Sequence, residues 1–477
     1  MVTVRYEEDS IGKREVPAEA YYGVQSMRAA ENFPITGQRL APEFISSLAY
    51  IKKAAAIVNR QADTLEPRVA DAIIAACDEI LDGKLRDQFI VDPLQGGAGT
   101  SMNMNVNEVI ANRAIEILGG QKGDYSVVHP NDHVNFGQST NDVIPSAGKI
   151  TAIVLIDALT NELHELAVAL LDKATEFMDV IKMGRTQMQD AVPITLGQEF
   201  YAYADAVHRA IDRLKGSKEE LLELNMGGTA IGTGINADIT YFKRIVPQIA
   251  EITGIDFIQA GDLIDSTQNI DCFAAVSGLI KSCAMALSKM ANDLRLMSSG
   301  PRTGFSEIIL PAMQNGSSIM PGKVNPVIPE ILNQTCFKVA GNDVTIAMAV
   351  EAGQLELNAF EPVVFQCLFE SLKILTAAVH TFRVNCVIGI RANREQCLDH
   401  VNHSVGVVTA LCPYIGYKKA ADFAKASLAK KIPVRQLVLE SGILSKEKLD
   451  IILDAAAMTA PGIADKDLFE AEKSLMK

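Results

Sequence analysis

At 477 residues the chain is too long for one compact core, so two to four domains are expected. Hydrophobic residues make up 48% and charged residues 21%, an ordinary globular balance that excludes a disordered chain. The net charge is −14 with no block of basic residues, which excludes nucleic acid as a partner because nothing is there to neutralise phosphates.

A mean hydropathy of +0.14 is on the apolar side for a soluble protein and points to buried contacts between subunits. The eight cysteines are scattered without a Cys-x-x-Cys pair, which reads as reduced core residues rather than disulfides or a zinc site. Residues 1–9 carry neither the basic n-region nor the apolar h-region of a signal peptide. No uncharged apolar run of membrane-spanning length is free of Gly, Pro and His. A cytoplasmic protein without membrane contact is therefore expected.

In chain order, residues 1–139 form a mixed segment punctuated by Gly and Pro, expected as an N-terminal domain. The first long helix is predicted over Ile150–Met178, which holds no Gly or Pro. Ile156, Leu159, Leu163, Leu166, Leu170 and Phe177 mark one of its faces at three-to-four-residue spacing. Similar stretches run from Gln198 to Met226, Leu263 to Ser299, Val327 to Val350 and Ala359 to Ile388. Five such helices with short Gly/Pro-rich links predict a central bundle over 140–390, and the lysine-rich, shorter-period residues 391–477 a small helical C-terminal domain. The fold class is thus all-α. Val154, Leu155, Val168 and Leu171 lie off the main apolar stripe, so the first helix needs cover on more than one side, as bundle-on-bundle association would provide.

Four polar, Gly-rich runs interrupt the apolar helices. They are Gly96–Asn105, Gly137–Asp142, Gly184–Asp190 and Gly316–Pro326. Each gathers Ser, Thr or Asn where a helix is predicted to start. Any one of them is explained by N-capping. Four together, each beside glycines that let backbone approach a ligand, point to a carboxylate bound by hydroxyls, carboxamides and helix-terminal amides. The first run lacks the Gly-Lys-Ser/Thr ending of a phosphate loop. The runs contain no His or Cys, and their only carboxylates are Asp142 and Asp190, which excludes a triad or a metal site there. Something other than an imidazole must serve as base.

The run Gly316-Ser-Ser-Ile-Met-Pro-Gly-Lys-Val-Asn-Pro326 resembles the signature of the fumarase/aspartase superfamily. Arg5–Gly12, Pro17–Gly23, Gly99-Thr-Ser, His129-Pro-Asn-Asp132, Gln138–Asp142, Gly184-Arg-Thr, Gly197-Gln-Glu199 and Thr459–Gly462 extend that resemblance nearly end to end, more loosely over the last eighty residues. Fumarases carry Thr-His at the third motif and Asn-Pro-Thr-Gln after the Lys. Here Thr186-Gln187 and Asn325-Pro-Val-Ile-Pro-Glu-Ile-Leu-Asn-Gln334 are similar to aspartases, as is Ser139-Thr140-Asn141.

The resemblance implies a three-domain lyase fold whose long helices associate into a tetrameric core. It implies elimination of ammonia from L-aspartate to fumarate, with fumarate hydration and a non-catalytic, crystallin-like structural role as the alternatives. Thr100, Ser139, Thr140 and Ser318 match residues that hold the β-carboxylate, and Thr186, Lys323 and Asn325 those that hold the α-carboxylate. Asn141 lies near the amino group, Gln187 contacts the ammonium or α-carboxylate, and Ser317 is the base, assisted by Lys323. His129–Asp132 resembles a secondary anion site of fumarases and is assigned no function. No cofactor and no metal site are expected, and activation by Mg²⁺ is left open. The expected partners are small molecules and three further copies of the chain, with each site shared between chains.

Overall fold

The computed structural model describes residues 3–475, and helices dominate it. The chain divides into two compact units, each assembled from three separate stretches. Unit 1 comprises residues 1–161, 212–284 and 336–376, and unit 2 comprises 162–211, 285–335 and 377–477.

Unit 1 opens with a hairpin of β1 (Val4–Asp9) and β2 (Gly12–Pro17), followed by α1 (Val24–Asn32). Helices α2 (Pro42–Gln61) and α3 (Pro67–Leu81) pack as an antiparallel pair, each with proline in its first turn, where the missing N–H matters least. Helix α4 (Thr100–Ile117) is buried along nearly its whole length. Its Glu108 carboxylate accepts the Gly23 and Ser26 amides at 2.8 and 3.1 Å and so caps α1.

The long helix α5 (Thr140–Glu176) starts ten residues before the predicted Ile150 and runs through Pro145. Proline ordinarily ends a helix because position i−4 loses its donor. Here the bare Asn141 carbonyl receives the Asn225 carboxamide at 2.9 Å instead. A remote side chain thus lets the helix begin early.

Two further expectations are shortened. Helix α6 (Leu196–Ser217) ends nine residues before the predicted Met226, where a 3₁₀ turn and the two-residue strand Glu223–Leu224 follow. Between α7 (Ile239–Thr253) and α9 (Asp271–Met297) stands the single-turn α8 (Asp265–Gln268), so the predicted Leu263–Ser299 helix is broken at Asn269–Ile270. Helices α10 (Val327–Glu351) and α11 (Glu361–Asn385) match their expected spans closely.

In unit 2 the strands β3 (Ile181–Thr186) and β4 (Gln189–Thr195) form a hairpin that periodicity did not predict. The C-terminal region starts with α12 (Arg394–His403) and continues in short helices. Val401, Leu411, Tyr414, Val438 and Leu449 make its core together with Met183 of β3. Among the described residues, three helical segments, Thr140–Glu176, Asp271–Met297 and Glu361–Gly389, are long and apolar enough, by length and composition, to cross a membrane.

Candidate active site

Unit 1 carries the first two motifs. Gly99, at φ 82°, turns the chain into α4 with its Cα close to Ile144, and a β-carbon there would lie 2.9 Å from that side chain. Thr100 is exposed, and its hydroxyl donates to the Gly97 carbonyl at 2.7 Å. It lines a cavity of about 520 Å³ together with Arg28, Ser101 and His129. His129 Nδ1 accepts the Asn131 and Asp132 amides, both at 3.2 Å, and so caps the π-helical turn Pro130–Val134.

Ser139 and Asp142 form a reciprocal cap at the start of α5. The Ser139 amide donates to Asp142 Oδ1 at 2.9 Å, and Ser139 Oγ accepts the Asn141 amide at 3.2 Å. Asn141 donates its carboxamide to the Ala230 carbonyl at 2.7 Å. Asp142 is fully buried, and its Oδ2 accepts the Gly227 and Thr229 amides at 3.2 and 3.1 Å. Burial pushes its carboxyl up to about 7. It braces the loop rather than facing a ligand.

Beneath this loop lies a polar group that periodicity did not reveal. Lys52, buried in α2, donates to Asn135 Oδ1 at 2.8 Å and Gln138 Oε1 at 2.9 Å. Burial pushes its ammonium down to about 7, with Asp142 opposing the shift. Asn103 and Asn107 of α4 donate to the same Asn135 oxygen at 3.1 and 3.2 Å, and Asn103 also donates to Thr140 Oγ1 at 3.3 Å. The first motif is thereby tied to the second. Asn103 and Asn107, one turn apart on one face of α4, were the available signal.

Unit 2 carries the third and fourth motifs. Thr186 pairs with Gln189 across a two-residue turn in which Gln187 and Met188 stand at φ 52° and 64°. Positive φ at both central positions defines the tight turn that glycine and asparagine usually supply, so Gln187 is held exposed in a strained backbone. Thr186 lines a cavity of about 660 Å³ with Lys182, Arg185, Glu199 and Asp293. The hairpin base is pinned by the fully buried Glu307, which meets Arg185 Nη1 at 2.8 Å, His400 Nδ1 at 3.0 Å and Lys182 Nζ at 3.3 Å. Burial alone would raise this carboxyl, but the Lys182 charge, with His400 and Arg185, outweighs it and holds Glu307 below its ordinary value. Asp190, the second carboxylate of the motifs, accepts the Ser404 hydroxyl at 2.7 Å and fastens the hairpin to the C-terminal region.

In the fourth motif, Ser317 is half-buried and its Oγ accepts the Ile319 amide at 3.2 Å. The loop folds back on itself at Gly316, whose added β-carbon would overlap the Lys323 carbonyl oxygen. Ser318 and Lys323 are exposed, Asn325 is half-buried, and the Asn325 carbonyl accepts the Val327 amide at 2.9 Å as α10 begins. Among the described residues, no hydrogen bond links Ser317 Oγ to Lys323 Nζ. The ten matched residues therefore fall into two sets, Thr100 and 139–141 in unit 1, and 186–187 and 317–325 in unit 2.

Comparison with known proteins explains the motifs. A family described as Lyase matches residues 12–341, and Fumarase C C-terminus matches residues 407–460. The chain belongs to the fumarase/aspartase superfamily. Among its relatives, an aspartate ammonia-lyase of Bacillus subtilis (strain 168) is 52% identical over 466 residues, covering 98% of each chain. One of Escherichia coli (strain K12) is 48% identical, over 97% of this chain and 98% of that one. Among solved structures, a fumarate lyase:delta crystallin from Brucella melitensis superposes with a TM-score of 0.94 at 48% identity, covering 96% of this chain and all of that one. A class II fumarase from Schistosoma mansoni superposes at 0.92 with 36% identity, over 96% of this chain and all of that one. The superfamily membership accords with the helical architecture and with hydroxyl-rich starts to α4, α5 and α10, whereas the third run, expected to open a helix, forms the β3–β4 turn instead.

Proposed function

We propose that the chain is an aspartate ammonia-lyase, a carbon–nitrogen lyase that interconverts L-aspartate with fumarate and ammonia. The observation that carries this is near-full-length identity of 48–53% to aspartate ammonia-lyases of several bacteria. The substrate-facing sequence agrees with it, since Gln187 stands where fumarases carry His.

The chemistry follows from what each group can do. Elimination removes a proton from the carbon beside the β-carboxylate and expels ammonia from the α-carbon. The proton is weakly acidic, and the intermediate is a dianion with its added charge on the β-carboxylate oxygens. Hydroxyl donors around those oxygens lower that barrier, and this is the role given to Thr100, once it gives up its bond to the Gly97 carbonyl, and to Ser139, Thr140 and Ser318. Thr186, Lys323 and Asn325 hold the α-carboxylate, Gln187 contacts the ammonium or the α-carboxylate, and Asn141 faces the amino group. Ser317 takes the proton as an alkoxide. The Ile319 amide already donates to its oxygen, and Lys323, six residues on in the same loop, supplies the positive charge that an alkoxide requires. No redox step occurs, so no cofactor is invoked.

The working form is a cytoplasmic homotetramer whose sites combine motifs from different chains. Supporting this, Phe337, Val344 and Met348 line one side of α10 at 62, 58 and 68% exposure, an apolar stripe that a second copy of the chain would cover. Following fumarate absorbance with aspartate and, separately, with malate tests the function. Fumarate should form from aspartate with negligible formation from malate, and comparable rates would make the chain a fumarase instead.

A further inference from the structure

We propose that Asn103 is a positioning residue that fixes the Thr140 hydroxyl as a hydrogen-bond donor, and that Lys52 sets the orientation of Asn103 through Asn135. The idea rests on the reading that Thr140 meets the β-carboxylate of the substrate. It adds a reason why an ionised carboxylate, rather than a carboxamide, is accepted at that end.

The argument begins at an ammonium, which has donors and no acceptor. Lys52 Nζ lies 2.8 Å from one side-chain atom of Asn135, so that atom must be the oxygen. The atoms of Asn103 and Asn107 at 3.1 and 3.2 Å from this oxygen must then be their NH₂ groups. The second hydrogen of the Asn103 amide points at Thr140 Oγ1, 3.3 Å away. Thr140 accepts there, and its own hydrogen is left to point elsewhere. Ser139 is set in the same way, because its Oγ accepts the Asn141 amide at 3.2 Å.

A second observation supports a dictated orientation. The carbonyl oxygens of Asn103 and Asn107 are both buried without a hydrogen-bond partner. An unpartnered buried acceptor is costly, and turning either amide over would aim an acceptor at the Asn135 oxygen instead. Two amides held in this state mark Lys52 as the group that decides. Side by side, Ser139 and Thr140 then offer two hydrogens. A carboxylate has acceptors only and satisfies both, whereas a carboxamide presents one acceptor and one donor.

The test is a double-mutant cycle read by calorimetric binding of succinate, a dicarboxylate that cannot react, to the wild type, Asn103→Leu, Thr140→Val and the double variant. Asn103→Leu should weaken succinate about tenfold or more, the worth of a hydrogen bond to a charged group. The double variant should bind no more weakly than Thr140→Val alone. Asn103→Ala replaces the leucine variant if that one does not fold. Asn103→Asp would accept the Thr140 hydrogen and turn a lone pair outward. Its preference for succinate over succinamate should fall at least tenfold below that of the wild type. Additive losses in the cycle, or an unchanged preference in Asn103→Asp, would overturn the proposal, and neither outcome touches aspartate turnover by the wild type. A wild type that ignores both aspartate and succinate removes the functional reading first, and this proposal with it.

Discussion

Ser317 accepts one backbone amide and lies in a loop exposed on its far side, so its proton acceptor is within reach of a small ligand. If it removes the substrate proton, Ser317→Ala should lose several orders of magnitude in kcat with little change in KM. Steady-state rates decide this, and a variant keeping a tenth of the wild-type kcat would reduce Ser317 to a loop-forming residue. Ser139, Thr140, Thr186 and Ser317 could be singled out as candidates from the chain because each lies within three residues of a glycine in a polar run. Lys52, Asn135 and Asn225 could not. Lys52 meets Asn135 and Gln138 across 83 and 86 positions, and Asn225 meets Asn141 across 84, contacts that only the folded chain brings about. Lys52, in the run Tyr50-Ile-Lys-Lys-Ala, reads as a solvent-facing helix cation, yet it is wholly buried.

The hairpin β3–β4 presents Thr186 and Gln187 from a turn that is intrinsically unfavourable for residues with side chains, so its base must hold it. Glu307 does this through Lys182 and Arg185. Removing one partner of a buried ion cluster leaves the others uncompensated, and Glu307→Gln should cost about 3–5 kcal/mol of stability near pH 7. The pH dependence has a fixed sign. A carboxyl held below its ordinary 4.5 contributes stability that is fully present above that value and is lost as pH falls through its lower folded-state value. The gap in Tm between wild type and Glu307→Gln should therefore narrow as the solution is acidified below about 4.5. A gap that stays constant would show that the carboxylate charge is not what anchors the hairpin. At this scale the apolar periodicity found the long helices α10 and α11 and missed the hairpin, because Ile181–Thr195 alternates too irregularly and bulges between Met183 and Arg185. It also placed the start of α5 after Pro145, for want of any local sign that Asn225 would stand in for the missing donor.

For the whole molecule, the two sets of motifs make subunit sharing testable without a structure of the assembly. Thr140→Val and Ser317→Ala should each be inactive alone. In a mixture of equal parts, a site drawing its Thr140 from one chain and its Ser317 from another is intact with a chance of one half for each, about a quarter of sites under random closed assembly. Recovery of about that fraction of wild-type activity is expected when differently tagged chains co-purify, and background activity in proven hybrids would mean that each chain builds its own site. The discontinuous make-up of the units bears on how the protein comes into being. Unit 1 needs residues 336–376, and unit 2 needs the stretch beginning at residue 377. A ribosome adding about 5–20 residues per second takes tens of seconds to add the residues from position 1 to that point. Throughout that interval α5, with its apolar length already emerged, lacks α11, which packs Phe365 against Gly148 and pairs Arg383 with Glu162. The nascent chain is thus exposed to aggregation until residues 336–376 have been made, and a ribosome stalled before Cys336 releases a product in which neither unit can close.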